Sequence, residues 1–150
     1  MKRFKAPVAV VVLITRDDGR QVLLQRRQNT GFGDGMWDFA CSGHAEEGES
    51  LTEACVRECR EELGIEARAR DFEFFTLIYK RDGNLTYVNP YFHLTKYDGE
   101  PAICEPSKCS ELRWFDVSAL PEDLLPDRRA ALKALREGVK LIEYGWEASI

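Results

Sequence analysis

Residues 43–65, GHAEEGESLTEACVRECREELGI, decide how this chain folds and what it does. The stretch holds a helix with marked ends. Ser50 and Glu53 form an S-x-x-E capping box at the start of a helix over Ser50–Leu63, and Gly64 stands where a left-handed C-cap belongs. Its charges are unusual. Glu46, Glu47, Glu49 and Glu53 lie in or before the first turn, where the helix dipole favours acid. Glu58, Glu61 and Glu62 lie near the other end, where it does not. At about 100° per residue, positions i, i+3 and i+4 share a face. These carboxylates therefore repel one another by about 0.2–0.5 kcal/mol per pair. Arg57 and Arg60 offset part of that cost. A solvated acidic face is one account of the pattern. A divalent cation is the other, because clustered carboxylate oxygens suit hard Mg²⁺ or Mn²⁺, which keep waters and take substrate phosphates as ligands.

The wider spacing favours the cation. Five residues separate Gly43 from Glu49, and seven more precede Arg57-Glu58; Glu61-Glu62, Gly64 and Ile65 follow. This resembles the Nudix box, G-x5-E-x7-R-E-U-x-E-E-x-G-U, where U is a bulky apolar residue. Gly43, Glu49, Arg57, Glu58, Glu61, Glu62 and Gly64 match it, and Ile65 fills the second U. Cys59 stands at the first U, where an aliphatic residue is usual, and packs as a small hydrophobe. Outside the box the likeness is looser. Arg26-Arg27, Trp37 and the run Glu111-Leu112-Arg113-Trp114-Phe115 leading to Leu120-Pro121 look like MutT-type members.

The resemblance implies an α+β fold: a Nudix-type α/β/α sandwich with a central mixed β-sheet and the box as a loop-helix-loop catalytic motif. It also implies hydrolysis of a nucleoside diphosphate linked to another group, at a phosphoanhydride bond. For a triphosphate the products are the monophosphate and pyrophosphate. The implied cofactor is Mg²⁺, with Mn²⁺ able to substitute, to neutralise the phosphates and acidify a water. On the family pattern Glu58, Glu61 and Glu62 bind the metal. Gly43 joins them through a backbone carbonyl that no side chain shields. Arg57 orients a glutamate by a bidentate pair and counts with Glu58 and Glu61 as catalytic, Glu58 or another carboxylate deprotonating the water. Glu49 braces the loop or completes the metal shell. Glu105, in the loop Cys104–Lys108, is a further candidate ligand or base, against an exposed loop acid. Arg26 and Arg27 are candidates for substrate phosphates, against solvated strand-end charges. Trp37, Phe39, Tyr79 and Phe92 are candidates to stack on a base, though core packing suits each better.

The rest of the chain is ordinary for a soluble enzyme. By the length prior its 150 residues form one domain. It is 44% hydrophobic and 31% charged, with a net charge of -5. Acidity argues against sequence-independent nucleic-acid binding, which needs a basic patch, and leaves a small nucleotide as the expected partner. A homodimer stays open, since many family members form one. The apolar run Val8–Ile14 follows Lys2, Arg3 and Lys5 but has no small-x-small cleavage site and is too short to span a membrane. It reads as a buried strand, turning at Asp18-Gly19 into a second strand, Gln21–Arg26. Further strands are expected over Trp37–Cys41, Asp71–Tyr79, Leu85–Thr95 and Leu112–Val117, with an edge or bulge at Pro90. A closing helix is expected over Asp127–Lys140, with Ala131, Leu132, Leu135 and Val139 on its apolar stripe. Residues Glu143–Ile150 read ambiguously. Five cysteines, an odd number, argue against a disulfide framework. They fit reduced, buried thiols and a cytoplasmic location better than zinc held by Cys55, Cys59, Cys104 and Cys109.

Two alternatives remain. A silent Nudix domain could serve as a nucleotide sensor, but such domains usually lose a box glutamate. A prenyl-diphosphate isomerase on the same fold would need a catalytic cysteine, for which Cys41 is the candidate. Substrate choice is narrowed only by elimination. Lys80 and Arg81 stand where ADP-ribose hydrolases often have Pro, and Asp82 and Gly83 where dinucleoside-polyphosphate hydrolases often have Tyr. Both departures favour a nucleoside triphosphate.

Overall fold

The apolar run near the N-terminus becomes β1 (Ala9–Arg16), the strand at which the sheet forks. Its side chains alternate between two cores, as strand geometry requires. Val10, Val12 and Ile14 face one; Val11 and Leu13 face the other. Burial on both faces explains the unbroken β-branched run. The structure, a computed structural model, describes residues 1–146. Of the ambiguous C-terminal stretch, residues 147–150 lie outside the described residues.

Along one edge β1 pairs in parallel with β6 (Leu85–Leu94), Val11 opposite Tyr91. Along the other, its first half pairs antiparallel with β4 (Cys41–His44) and its end with β2 (Gln21–Arg27). Asp17, Asp18 and Gly19, all at positive φ, make the turn into β2. β2 carries β3 (Trp37–Phe39) on one side and β7 (Cys109–Asp116) on the other. β5 (Glu73–Asp82) runs antiparallel to β6, and β8 (Leu141–Tyr144) parallel to β5. The expected strand Trp37–Cys41 is thus two strands. The chain crosses at Ala40 from pairing with β2 to pairing with β1.

Helix α1 (Leu51–Leu63) buries Ala54, Cys55, Cys59 and Leu63 on one face of the sheet, with the expected capping box at Ser50 and Gly64 left-handed at φ 70. Helix α2 (Pro126–Glu137) covers the other face through Ala131, Leu132 and Leu135. It stops short of the expected Lys140 because Gly138 takes the left-handed C-cap, at φ 71. Val139 is therefore exposed rather than on the stripe. The result is the mixed sheet between two helical layers that the α+β reading anticipates.

Pro90 corrects the edge expectation, since β6 lies inside the sheet between β1 and β5. The Val88 N–H donates to the Pro7 carbonyl at 3.1 Å. Two residues on, a parallel ladder calls for an N–H at position 90 to reach Ala9 O. Pro90 has none. The Asn89 side chain takes its place, Nδ2 donating to Ala9 O at 3.1 Å. The bulge lies instead on β5, between Phe74 and Thr76.

Cys41, Cys55, Cys59 and Cys109 are buried, Cys104 is exposed, and all are free. No described helix is long and apolar enough to cross a membrane. One polar cluster interrupts the second core. Asp38, fully buried, accepts from Arg128 Nε and, at 2.7 Å, from Arg27 Nη1. Arg128 Nη1 also donates to Tyr91 Oη at 2.7 Å. Removing one side of a buried pair leaves an uncompensated charge and costs about 3–5 kcal/mol. Asp38→Ala should therefore lower unfolding free energy by that order in denaturant melts. The double variant Asp38→Leu, Arg128→Met should recover much of it; a double variant no more stable than the single would contradict this account.

Candidate active site

Helix α1, capped at Ser50, packs against β4, and the side chains of Arg57, Glu58 and Glu62 approach that strand. Ser42 N–H donates to Glu62 Oε2 at 3.0 Å, and His44 O accepts from Arg57 Nη2 at 3.0 Å. Ser42 and His44 thus turn their backbone groups to the free edge of β4, and Gly43 turns toward Val10 on β1. This corrects the expected role of Gly43. Its carbonyl is spent on the sheet, and the outward carbonyl belongs to Ser42. Gly43 contributes space: a Cβ there would collide with the Glu58 carboxyl group.

Arg57 ties the cluster together. Nε and Nη2 grip Glu49 at 2.7 and 3.0 Å, a bidentate pair. Nη1 reaches Glu58 Oε1 at 2.7 Å and Glu61 Oε2 at 3.3 Å. Hydrogen bonding from Arg57 holds the Glu49 carboxyl down to about 2. Glu49 thus braces the loop, one of its two expected roles. Glu58 moves the other way: burial raises its pKa against the opposing pull of Arg57. Burial, with the Glu58 charge beside it, pushes Glu62 up to about 8. Glu105 lines a small recess with Glu62, and its charge raises both Glu58 and Glu62 further.

Glu58 and Glu62 are thus carboxylates held partly out of water with more negative charge around them than Arg57 neutralises. That donor set, beside a glycine cradle, fits a hard divalent cation, which completes its shell with waters. No three acidic, His or Cys side chains among the described residues stand ready as a closed ligand set. Glu61 is half exposed and turned to Arg57.

On the opposite face of β4 a cleft of about 270 Å³ opens, with Gly43 and His44 in its wall. Arg27, Lys80 and Arg128 supply cations, and Phe32 and Tyr87 aromatic surface. Of the two expected phosphate contacts, only Arg27 lines this cleft. Arg26 lies outside it, bonded to Glu111 at 3.1 Å and Asp123 at 3.4 Å over the Trp37 ring. Trp37, Phe39 and Phe92 are core residues, and Tyr79 stacks on Trp146. His93 pairs with Thr15 Oγ1 at 2.7 Å. Cys41 is fully buried, its Sγ 3.4 Å from that of Cys59, and burial pushes its thiol well up. Sequence reasoning missed Phe32, Asn89, Asp127 and Arg128. Asp127 and Arg128 open a helix and look like solvated charges there. Pro90, flagging an irregular neighbour, was the one signal pointing at Asn89.

The NUDIX domain family model matches residues 5–135. The NAD-capped RNA hydrolase NudC of Pseudomonas entomophila is 33% identical over 132 residues, covering 85% of this chain and 42% of that protein. The isopentenyl-diphosphate Delta-isomerase of Serratia proteamaculans is 28% identical over 116 residues, covering 77% and 64%. The chain thus spans less than two thirds of the length of these curated relatives. Among solved structures, a MutT NUDIX hydrolase from Burkholderia pseudomallei superposes with a TM-score of 0.79 at 27% identity, covering 88% of this chain and 99% of that one. The E. coli ORF135 protein does so with a TM-score of 0.68 at 30% identity, covering 88% and 94%. The match runs from the strand before β2 through the helix after β7, taking in the whole box, and the chain belongs to the Nudix family.

Proposed function

We propose that the chain is a Mg²⁺-dependent pyrophosphohydrolase, cleaving a phosphoanhydride bond of a nucleoside triphosphate or another nucleoside diphosphate-linked compound. One observation carries this reading: the carboxylates of α1 and a cationic, aromatic cleft meet across β4 at Gly43. A nucleotide fits that division, with its charged phosphates near one side and its base on the other. The name of the NudC relative points to the same bond class, since NAD is itself a nucleoside diphosphate derivative.

Glu58, Glu61 and Glu62 would hold the cation, with Glu105 joining from across its recess. When bound, Mg²⁺ neutralises the phosphates and acidifies a water. The chain's residues do the rest. Glu58 Oε1 is held by Arg57, so Oε2 is the atom left to accept the water's proton. Arg57 keeps that carboxyl aligned while its bidentate grip on Glu49 fixes the guanidinium. Arg27 steadies the phosphates from the cleft. Buried Cys41 gives the isomerase alternative no accessible nucleophile, and the complete glutamate set supports turnover over mere sensing.

The first test is pyrophosphate or phosphate release from a panel of nucleoside triphosphates, ADP-ribose, NAD and dinucleoside polyphosphates, with Mg²⁺ or EDTA. Release should require the metal, and Glu58→Gln or Glu62→Gln should lower kcat by about 100-fold or more. No turnover of any member by the wild type would sink the hydrolase reading. Gly43→Ala, whose backbone is not left-handed, should fold but displace Glu58. Its kcat should fall at least tenfold with little change in melting temperature; unaltered kcat would remove Gly43 from the site.

A third test needs no substrate. The folded chain holds a proton on Glu62 up to about 8, whereas the unfolded chain releases it near the ordinary carboxylate value. The stability this proton supplies is complete below the unfolded value and is lost as pH rises toward 8. The metal-free protein should accordingly melt lower at pH 8 than at pH 5.5, and Glu62→Gln should flatten the slope. Mg²⁺ should raise the melting temperature of the wild type at pH 8 more than that of the variant. Equal responses of the two proteins would place the cation elsewhere.

A further inference from the structure

Asn89 is buried on the floor of the cleft with one amide atom committed and the other free. Nδ2 donates to Ala9 O, in place of the N–H that Pro90 lacks. That bond settles which way the amide faces, because a flipped group would set two carbonyl oxygens against each other. Oδ1 consequently faces the cleft as a fixed acceptor, and it accepts no hydrogen bond from the described residues. Of the two acids lining the cleft, Asp82 and Asp127, the second is occupied. Asp127 accepts from Lys80 at 3.2 Å and from the Arg128 N–H at 3.0 Å.

The walls above Asn89 suit a flat ligand, their cations Arg27 and Lys80 being paired with Asp38 and Asp127 and Asp82 also lining the cleft. Phe32 is exposed, with Arg27 5.4 Å and Lys80 4.8 Å from its ring centre. A volume of about 270 Å³ admits a nucleobase and part of its sugar. A rigid carbonyl on the floor rewards a base edge that presents N–H and rejects one that presents an acceptor.

Building on the nucleotide reading above, we propose that Asn89 Oδ1 is a specificity-determining acceptor that selects nucleotides whose base carries an exocyclic amino group. Guanine, adenine and cytosine share this chemistry. Each has a close analogue without the amine, hypoxanthine for guanine, unsubstituted purine for adenine and pyrimidin-2-one for cytosine, and the three comparisons tell which base is read.

The test is calorimetric binding of GMP against IMP, of AMP against purine riboside monophosphate, and of CMP against pyrimidin-2-one riboside monophosphate, to the full chain with Mg²⁺. The wild type should prefer the amino member of at least one pair by about 10- to 100-fold. In Asn89→Ala the preference should fall toward one, whatever happens to affinity overall. Asn89→Asp keeps an acceptor oxygen but loses the bond to Ala9. It should melt lower yet retain the preference, which a purely structural role for Asn89 would not produce. A wild type that ignores the amine in all three pairs overturns the proposal. So does a preference that survives in Asn89→Ala, or no binding of any of the six at millimolar concentration. If binding follows the expected pattern while no phosphate compound is hydrolysed, the base subsite stands and the hydrolase reading fails. Hydrolysis without amine preference gives the reverse.

Discussion

A single guanidinium organises the acidic end of this molecule. Arg57 bonds Glu49, Glu58, Glu61 and the His44 carbonyl. These partners come from the loop before α1, from α1 itself and from β4. Without a delocalised cation of fixed fork geometry the carboxylates would have to separate or protonate, and the loop would lose its tie to the sheet. A lysine could neutralise one of them but could not reach three directions in one plane. Glu49, held down to about 2, gives up its capacity to bind anything else. Glu58 and Glu62 stay raised, although each accepts a hydrogen bond, from Arg57 and from the Ser42 N–H. The arrangement separates carboxylates that hold structure from carboxylates left available for chemistry.

A second cationic centre plays a comparable part on the other face. Arg128 is buried against Asp38, Tyr91 and Asp127, and Asp38 in turn holds Arg27 at the cleft. The two centres never touch, but β4 lies between them. Gly43 and Ser42 are near both, the first by lacking a side chain and the second by the outward direction of its backbone.

The box was legible because its information is local. Capping, dipole and helix-face arguments act within a few residues, so the helix ends at Ser50 and Gly64 and the shared face of Glu58 and Glu62 could be read from spacing, while the resemblance to the box supplied the expected roles of Arg57, Glu58 and Glu62. The same holds for β1, whose alternation splits cleanly between two cores. The cleft was not legible, because its residues come from β1, β2, the loop after β2, β4, β5, β6 and α2 and meet only through sheet pairing and the packing of α2 on the sheet. Arg26 and Arg27 look equivalent in a list, yet adjacent positions on a strand face opposite ways, and one of them turns to Glu111 instead. Gly43 could be recognised as necessary, but its reason depended on hydrogen-bond direction in β4, which a one-residue change of register would reverse. The end of α2 failed for a smaller cause. A left-handed cap at Gly138 outweighed an apolar period that ran one residue further.

The pairing of β1 with β6 also governs how the chain reaches its fold. Val11 meets Tyr91 at a sequence separation of 80 residues, so the central parallel contact closes late and at a large loop-closure cost. During synthesis, β2 and β4 are made first and can cover only one edge of β1. The most apolar strand of the protein then waits with its other edge open until residues 85–94 leave the ribosome. For that interval the nascent chain exposes the kind of unpaired hydrophobic edge that chaperones bind.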